Sequence, residues 1–448
     1  MQFDNELNEV IIKIERGDII STIKIIDAIM GSGKSTYVIE EIINKNPHKK
    51  FICVVPTIDK LNDKNEVVRT GEVGRYKQAI NMVTYEPHTR PRKLDDFKRL
   101  IANGKNIVTT HSLIQNIDIE TMELIKNSNY TLIIDECLDV VHEYPKTTKC
   151  DIKSLIGDGW VFADEKGFLI WNEEKDKEFY ENNYNGRWSD IKRLCNMKAL
   201  MCLRKNNNDF SKNIFFWNFP VKFFDLFVES YICTYLWEGS IQKAYFDLHN
   251  VVYKHLTLSN HKLIDYDLKE EINTRKELYK LINIYNGVLN SIGTPQNKNK
   301  YPLSKTWYKR DLDNGKYNLK ILKNNTYNYF RNIVDTVSSE NMYTTFKDFK
   351  KHISKKGYAR GFVSCSSKGT NEYKNKKSLA YLINLFLPTN IIRFFTSQNI
   401  EINSDLWALT ELLQWICRSR IREGEEINLF IPSQRMRELL KKWSIGDI

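Results

Sequence analysis

The sequence predicts an α/β protein with two domains, each built on a parallel β-sheet. Near both ends of the chain, short β-branched apolar runs alternate with longer segments of helical spacing, which is typical of a parallel sheet covered by helices on both faces. The length of 448 residues favours two or three domains at roughly 150 residues each. Because 42% of the residues are hydrophobic, the chain can bury a core in each domain.

The N-terminal alternation contains four runs that we predict to be strands. These runs are TIKIIDAI (22–29), FICVVPT (51–57), NIVTT (106–110) and YTLIIDE (130–136). The segments 36–45 and 95–103 between them carry apolar residues at helical spacing. Further along, 159–171 predicts a β-hairpin with its turn at 165–167, and 231–236 predicts another strand.

The alternation resumes in the C-terminal part of the chain. The runs predicted as strands there are MYTTF (342–346), GFVSC (361–365), IIRFF (391–395) and INLFI (427–431), and the segment 405–421 predicts a helix. We therefore predict an N-terminal domain at 1–250, with an insertion at about 145–225, and a C-terminal domain at 336–448. The segment 251–335 between them is predicted to be a basic, aromatic-rich insertion or linker.

The formal net charge of +11 is concentrated in one part of the chain. Residues 261–360 contain 20 Lys and Arg against 10 Asp and Glu. Cations bind a phosphate backbone by releasing its counterions, and aromatic rings offer faces on which bases stack. We therefore predict that 298–331 binds nucleic acid through residues such as Lys305, Lys309 and Arg310; a solvated loop is the alternative. The aromatic residues interleaved with these cations are Tyr301, Trp307, Tyr308, Tyr317, Tyr327 and Tyr329.

Cysteine spacing and hydropathy exclude several classes of protein. The eight cysteines form no C-x-x-C pair and no paired Cys/His spacing, so we expect neither a disulfide framework nor a zinc site. No apolar run approaches the roughly 20 residues that cross a bilayer. The N-terminus lacks the basic-then-apolar order of a signal peptide. We therefore expect a cytoplasmic protein without a membrane partner.

Residues 28–36 read AIMGSGKST, between a predicted strand and a predicted helix, which matches the Walker A phosphate-binding pattern. Gly31 and Gly33 let backbone N–H groups approach phosphates without a Cβ in the way. We expect Lys34 to reach the β- and γ-phosphates and the Ser35 hydroxyl to bind Mg²⁺. The predicted nucleotide-binding residues are Gly31, Ser32, Gly33, Lys34, Ser35 and Thr36. A glycine turn with a purely structural role is the alternative.

A pair of acids at the end of another predicted strand supports the phosphate loop. The run 130–136 ends in Asp135 and Glu136, and the carboxyl end of a buried strand is where a P-loop site holds its Mg²⁺. Asp135 would hold the metal, and Glu136 would polarise the water that attacks the γ-phosphate. Acids at strand ends also serve as helix caps, so the pairing with the phosphate loop carries this prediction.

These motifs resemble those of superfamily 2 helicases, the DEAD/DEAH-like group, over roughly 20–140 and 340–448. AIMGSGKST is similar to motif I and DECL (135–138) to motif II. VVPT (54–57) is similar to motif Ia and VTTH (108–111) to motif Ib, while CTYL (233–236) stands where motif III is expected. QWICRSRIR (414–422) is similar to motif VI. The C-terminal stretch, together with GTNEY (369–373), looks most like the helicase-type ATPases of phages and bacterial mobile elements.

The resemblance implies two RecA-like P-loop domains with ATP between them. It also implies contacts to the nucleic-acid backbone by Pro56, Thr57, Thr109 and Thr110. The sequence departs from the family at motif VI, which reads Q-x-x-G-R-x-x-R. Here Cys417 replaces the glycine and Ile421 replaces the last arginine.

The arginines of this segment are the candidates for fingers that reach ATP from the second domain. On a helix, Gln414, Arg418 and Arg422 would share a face at i, i+4 and i+8, whereas Arg420 would point away. The resemblance implies that Gln414 and Arg418 act on ATP. Arg420 and Arg422 remain alternatives for the second finger. An ordinary basic helix end, favoured by the helix dipole, would explain all three arginines without a catalytic role.

We therefore predict an ATP-dependent helicase or translocase that uses ATP and Mg²⁺. Its predicted catalytic residues are Lys34, Asp135, Glu136, Gln414, Arg418 and Arg420. The resemblance favours DNA over RNA as the nucleic acid that the protein binds. It also implies that the protein acts in a bacterial or phage-infected cell. Two alternatives remain: a phage packaging motor, which would need a cluster of nuclease carboxylates, and an ATP-gated nucleic-acid-binding protein that never unwinds a duplex.

Overall fold

The computed structural model describes residues 22–61, 67–90, 92–204, 212–296, 299–365 and 372–448. The first three residues of GTNEY (369–373) lie outside these ranges, as does Lys298 of the basic segment. None of the helices in the described ranges combines the length and the apolar character needed to cross a membrane.

The larger sheet has eight strands within the described residues. Across the sheet they follow the order Lys262–Asp265, Tyr253–Ser259, Thr22–Asp27, Glu229–Thr234, Tyr130–Asp135, Lys50–Val55, Asn106–Thr110 and Thr84–Tyr85. Neighbouring strands are parallel, except that Lys262–Asp265 is an antiparallel edge strand. Since parallel strands end at the same edge, the carboxyl ends of Thr22–Asp27 and Tyr130–Asp135 lie one strand apart.

Both faces of this sheet are buried. Along the strand Lys50–Val55, Ile52 and Val54 enter one core, while Cys53 and Val55 enter another, as expected when side chains alternate across a covered sheet. The helices of this part of the chain are Lys34–Tyr37, which continues as the π-helix Val38–Asn44, then Glu72–Ala79, Lys93–Ala102, His111–Ile114, Ile119–Lys126 and Ile241–Leu248. A short antiparallel pair, Lys60–Leu61 with Val67–Arg69, precedes Glu72–Ala79.

A small antiparallel sheet interrupts the larger one in sequence. It orders Leu200–Leu203, Ile214–Asn218 and Val141–Glu143. The predicted hairpin is confirmed as Val161–Ala163 paired with Leu169–Trp171. The helices here are Lys149–Gly157, Glu173–Tyr180 and Ser189–Asn196. The apolar side chains of this region share a core with one face of the larger sheet.

The second parallel sheet lies in the C-terminal part of the chain. Its strands follow the order Ile282–Ile284, Ile427–Phe430, Ser378–Tyr381 and Asn341–Thr344. The helices around it are Leu268–Lys280, Lys305–Asp313, Tyr317–Asn328, which continues as the π-helix Tyr329–Ile333, then Lys350–Ile353, Ser404–Ile416 and Gln434–Ile445. The predicted α/β class with two largely parallel sheets is confirmed.

The segment 251–335, predicted as an insertion or linker, is divided between the two sheets. Its first strands, Tyr253–Ser259 and Lys262–Asp265, complete the larger sheet, and Ile282–Ile284 is an edge strand of the second sheet. Its later helices pack on the second sheet through buried residues such as Leu322. Composition could not show this division, because basic residues cover the outer face of an otherwise ordinary helical layer.

Two predicted strands are wrong. IIRFF (391–395) lies in the helix Thr389–Ser397, because Ile391, Phe394 and Phe395 are buried at the i, i+3, i+4 spacing of a helix. GFVSC (361–365) makes one isolated bridge, from Phe362 to Tyr343, and no strand. The predicted helix 405–421 ends at Ile416, and a 3₁₀ turn follows at Arg420–Glu423.

Candidate nucleotide site and nucleic-acid groove

The predicted phosphate loop connects the strand Thr22–Asp27 to a helix that begins at Lys34. Gly31 and Gly33 have φ values of 85° and 86°, in the left-handed region that favours glycine. The Lys34 ammonium donates to the carbonyl oxygens of Ala28 and Ile29, the latter at 3.1 Å. Burial lowers the pKa of Lys34, although nearby anionic groups oppose this effect. The lysine is therefore already directed along the loop.

The carboxylate of Asp135 lies beside the start of this helix. The Ser35 hydroxyl donates to its Oδ2 at 2.9 Å and its Oδ1 at 3.1 Å. Oδ2 also accepts from the Tyr76 hydroxyl at 3.0 Å and from the Arg75 guanidinium at 3.2 Å. Arg75 and Tyr76 come from the helix Glu72–Ala79. Sequence reasoning missed both, since no motif marks this helix.

Glu136 adopts a backbone conformation that non-glycine residues rarely use. Its φ is 67°, and its N–H donates to the carbonyl of Cys233 at 3.0 Å. A left-handed residue directly after a buried strand turns the chain sharply. The Glu136 side chain therefore leaves the sheet and lines a cavity that we call the cleft. Such conformations cost of order 1 kcal/mol and concentrate at functional positions.

Side chains from the N-terminal and C-terminal parts of the chain surround one cavity of about 150 Å³. Lys34, Ser35, Asp135 and Glu136 line one wall, and Gln414, Arg418 and Arg422 line the other. Arg418 is buried and donates to the Ser364 carbonyl at 3.3 Å. Burial lowers the pKa of Arg418, and the facing Glu136 carboxylate opposes that effect. The cavity therefore joins residues that are almost 400 positions apart at the extremes, Met30 and Arg422.

The two alternative second fingers have different surroundings. Arg422 lines the cavity and approaches the loop at Gly31, where its Cγ would lie 3.9 Å from an added Cβ. Arg420 instead donates through Nε to the Glu426 carbonyl at 2.5 Å and pairs with Glu425 at 3.6 Å. The helix ends before both residues, and in the 3₁₀ turn that follows, the side chains of the two arginines point in different directions. The structure therefore brings Arg422 to the cleft and directs Arg420 away from it.

Ser35 and Asp135 form an oxygen donor set that suits Mg²⁺. This cation is commonly held by one or two protein oxygens and takes its remaining ligands from substrate phosphates and water. In the described ranges, no cluster of three or more His, Cys, Asp or Glu side chains could hold a metal alone. The donor set fits a metal that arrives with a phosphorylated substrate.

A second cavity, of about 580 Å³, opens beside the cleft, and we call it the groove. It lies where the strands Lys50–Val55 and Asn106–Thr110 end, and its lining includes Pro56, Thr57 and Thr110. Pro56 also lines the cleft. The remaining lining residues are Ile58, Lys93, Ser112, Leu113 and Asn116. Thr109 is fully buried in the sheet, so the structure does not bring it to the groove.

The predicted cations of the second domain lie on one helix face. Lys305, Lys309 and Arg310 are exposed on Lys305–Asp313, and Lys305 pairs with Asp348 at 3.4 Å. The aromatic part of that prediction is wrong for three of the six residues. Trp307, Tyr308 and Tyr329 are buried in the core of the second domain and present no face to a base. Tyr301 and Tyr317 are exposed.

Two family descriptions match parts of this chain. One, the YonV C-terminal Rossmann-like domain, matches residues 276–444, and the other, the YonV middle domain, matches residues 141–217. The first range contains the whole second sheet, and the second range contains the small antiparallel sheet except for its last residue. The SPbeta prophage-derived protein YonV of Bacillus subtilis (strain 168) is 37% identical over 433 residues, covering 94% of this chain and 98% of YonV.

Among solved structures, the chain is similar to the DUF1998 helicase MrfA bound to DNA and AMPPNP, with 12% sequence identity and a TM-score of 0.32. That match covers 96% of this chain and 48% of the MrfA chain. The same helicase bound to DNA gives 11% identity and a TM-score of 0.28, over 94% of this chain and 47% of MrfA. The chain thus spans about half the length of the MrfA chain.

Proposed function

The chain belongs to the YonV family, and we propose that it is an ATP-dependent nucleic-acid helicase or translocase that acts on DNA in preference to RNA. The observation that carries this proposal is the cleft, in which the predicted phosphate loop and an Asp-Glu pair face Gln414, Arg418 and Arg422 from the C-terminal part of the chain. A nucleotide bound by the N-terminal domain and contacted by arginines of the C-terminal domain would couple hydrolysis to movement between the two domains.

Each side of the cleft would have its own role. Lys34 would exchange its loop carbonyls for the phosphate oxygens of ATP, and Ser35 and Asp135 would hold Mg²⁺. The metal, when bound, neutralises charge on the β- and γ-phosphates. Glu136 would orient the attacking water, and Arg418 would stabilise the charge that develops on the transferred phosphoryl group.

The groove would hold the nucleic-acid backbone. Thr57, Thr110 and Ser112 offer hydroxyl groups there, and Lys93 adds a positive charge; such groups bind phosphate without reading sequence. Because Pro56 borders both cavities, closure of the cleft would reach the groove directly. The preference for DNA rests on the resemblance to phage-type helicases.

ATP hydrolysis with single-stranded DNA, duplex DNA or RNA tests this proposal. Lys34→Ala is the inactive reference, and Lys45→Ala, an exposed lysine paired with Glu41, is the matched control. We expect strong stimulation by DNA that Lys34→Ala abolishes and Lys45→Ala preserves. Hydrolysis that no polymer stimulates would refute a nucleic-acid motor.

Displacement of a labelled strand from a duplex separates the proposed motor from the ATP-gated binding protein. A helicase needs hydrolysable ATP to displace the strand, and the Lys34→Ala variant should fail. Binding that responds to ATP without displacement or movement along the strand would favour the gated binding protein instead.

A further inference from the structure

We propose that Arg75 is a positioning residue that couples occupancy of the groove to the Asp135 carboxylate. The inference rests on the proposed function and assigns a role to the helix Glu72–Ala79, which no motif marks. Its basis is a continuous path of contacts from the groove residue Thr57, through this helix, to the candidate metal-holding carboxylate.

The path ends at Oδ2 of Asp135, which has three donors. Arg75 and Tyr76 approach it from one helix, at 3.2 Å and 3.0 Å, and Ser35 approaches from the phosphate loop at 2.9 Å. Within the part of the chain that the structure describes, Oδ1 accepts a hydrogen bond only from Ser35, at 3.1 Å. A carboxylate offers about four lone-pair positions. The helix therefore fixes the rotation of the carboxylate and directs Oδ1 toward the phosphate loop.

Arg75 is itself held in one orientation. Its Nε donates to Oε2 of Glu72 at 2.5 Å while its Nη2 reaches Asp135, and its guanidinium lies 5.2 Å from the ring centre of Tyr76. The planar fork of arginine can bridge two carboxylates in this way, whereas a lysine ammonium is a single point charge on a flexible stem. Glu72 therefore fixes the position of the Arg75 guanidinium, which donates to Asp135.

The first turn of the helix is attached to the groove. The Glu72 N–H donates to the Thr57 hydroxyl at 3.2 Å, and the Val73 N–H donates to the Thr57 carbonyl at 3.1 Å. Asp59 accepts from the Gly71 N–H at 2.6 Å, and a Cβ at Gly74 would overlap the Asp59 carboxylate. The helix therefore follows any displacement of the segment that carries Thr57.

That segment forms part of the groove wall. Pro56, Thr57 and Ile58 line the groove, and 53% of the Ile58 surface is exposed. A nucleic-acid strand in the groove would press on this wall, and the attached helix would shift Arg75 relative to Asp135. Occupancy of the groove would thus reorient the Asp135 carboxylate, with no nucleic-acid contact to the cleft itself.

The test compares Arg75→Ala, Arg75→Lys and the control Lys77→Ala, which removes an exposed cation from the same helix. ATP hydrolysis is measured with and without single-stranded oligothymidylate. We expect Arg75→Ala to reduce the stimulation by about tenfold, the effect of losing one hydrogen bond to a charged group. Arg75→Lys should recover little stimulation, because it cannot bridge Glu72 and Asp135, and Lys77→Ala should retain it.

Two further measurements separate positioning from a structural role. In the first, Mg²⁺ is titrated calorimetrically into each protein in the presence of ADP. Compared with the wild type, Arg75→Ala should bind Mg²⁺ more tightly and Arg75→Lys should bind it equally well, since only Arg75→Ala removes a cation beside Asp135. Loss of structure would weaken binding instead. In the wild type, oligothymidylate without nucleotide should change amide hydrogen exchange within Glu72–Ala79.

The outcomes distinguish this inference from the proposed function. A wild type without polymer-stimulated hydrolysis would refute the function and the inference together. A stimulated wild type whose Arg75→Ala variant is stimulated equally would overturn the inference alone, as would unchanged hydrogen exchange in the helix. Should Arg75→Ala melt at a much lower temperature than Lys77→Ala, Arg75→Lys carries the comparison.

Discussion

The Ser35 hydroxyl donates to both oxygens of the Asp135 carboxylate, although 100 residues separate the two along the chain. Sheet order explains the contact, because a single strand, Glu229–Thr234, lies between Tyr130–Asp135, which ends in Asp135, and Thr22–Asp27, which leads through the loop to the helix of Ser35. The same order places the helix that begins at Lys34 against the end of Tyr130–Asp135. The centre of the candidate site is therefore a property of one sheet, and the second domain adds its arginines to it.

We predict that Asp135→Asn lowers the rate of ATP hydrolysis at least about a hundredfold, since it removes the charge that would hold Mg²⁺ while keeping the side-chain volume. Phosphate release at saturating ATP and Mg²⁺ measures the effect. Asp139→Asn is the matched control, because Asp139 is exposed on the same loop. Equal losses in the two variants would place the metal elsewhere.

The arginines of the second domain should fall into two groups. We predict that Arg418→Ala and Arg422→Ala each lower turnover at least about tenfold while nucleotide binding persists, because these residues line the cleft and would act on the charge of the transition state. Arg420→Ala should change turnover by less than about twofold, since its guanidinium is engaged by Glu425 and Glu426. Turnover and nucleotide affinity are measured separately, and a loss confined to Arg420→Ala would reverse this assignment.

The strand, glycine loop and helix around Lys34 could be predicted from sequence because their conformation depends on local spacing. Gly31, Gly33 and Lys34 act within one strand, loop and helix, so their positions in the chain determine their positions in space. Arg75 and Tyr76 could not be predicted, because their role depends on where a separate helix packs. The strand order that brings this helix to Asp135 is a long-range property that no local pattern records.

The basic segment 298–331 shows what composition alone could not predict. Trp307 and Tyr308 lie among exposed cations in the sequence, yet both are buried on the inner face of Lys305–Asp313. Composition gives the number of cations and rings, but the face that each occupies depends on the sheet beneath the helix. The run 391–395 is predicted as a strand but forms a helix for a similar reason, because five residues can satisfy both a strand and one turn of helix.

We predict that the exposed face of Lys305–Asp313 contributes to nucleic-acid binding through charge alone. Replacing Lys305, Lys309 and Arg310 together by alanine should weaken binding to single-stranded DNA and reduce the slope of log K against log salt by about 2, at about 0.7 per phosphate contact. Fluorescence anisotropy at several salt concentrations measures the slope. The matched control replaces Lys269, Lys276 and Lys280, three exposed lysines of the helix Leu268–Lys280 in the same part of the chain.

If the two triple variants reduce the slope of log K against log salt equally, the domain binds nucleic acid through its overall positive charge and this helix has no particular role. A slope unchanged by either variant would remove this helix from the binding surface. Base-stacking by Trp307 or Tyr308 makes no contribution in either case, because both rings are in the core.

A half-buried histidine should make the folded state sensitive to mild acid. His249 packs against Tyr245 and Phe168, with ring centroids 4.5 Å and 5.9 Å away. Desolvation and, to a smaller extent, the nearby Lys166 together lower the pKa of His249 to about 4. Its Nε2 has no hydrogen-bond partner among the described residues. The folded protein therefore keeps this imidazole neutral where an unfolded chain would protonate it.

The direction of the pH effect follows from proton uptake. Between the unfolded pKa of 6.5 and the folded pKa of about 4, unfolding binds a proton, so the free energy of unfolding decreases as the pH falls through this window, by at most about 1.4 kcal/mol per pH unit. We predict that His249→Gln reduces this decrease, because glutamine does not titrate. Urea unfolding at pH 7 and pH 5 measures the difference, with the exposed His48 replaced by glutamine as the matched control. If His249→Gln and the wild type lose the same free energy between these two pH values, other groups cause the acid sensitivity and the imidazole is protonated in the folded state.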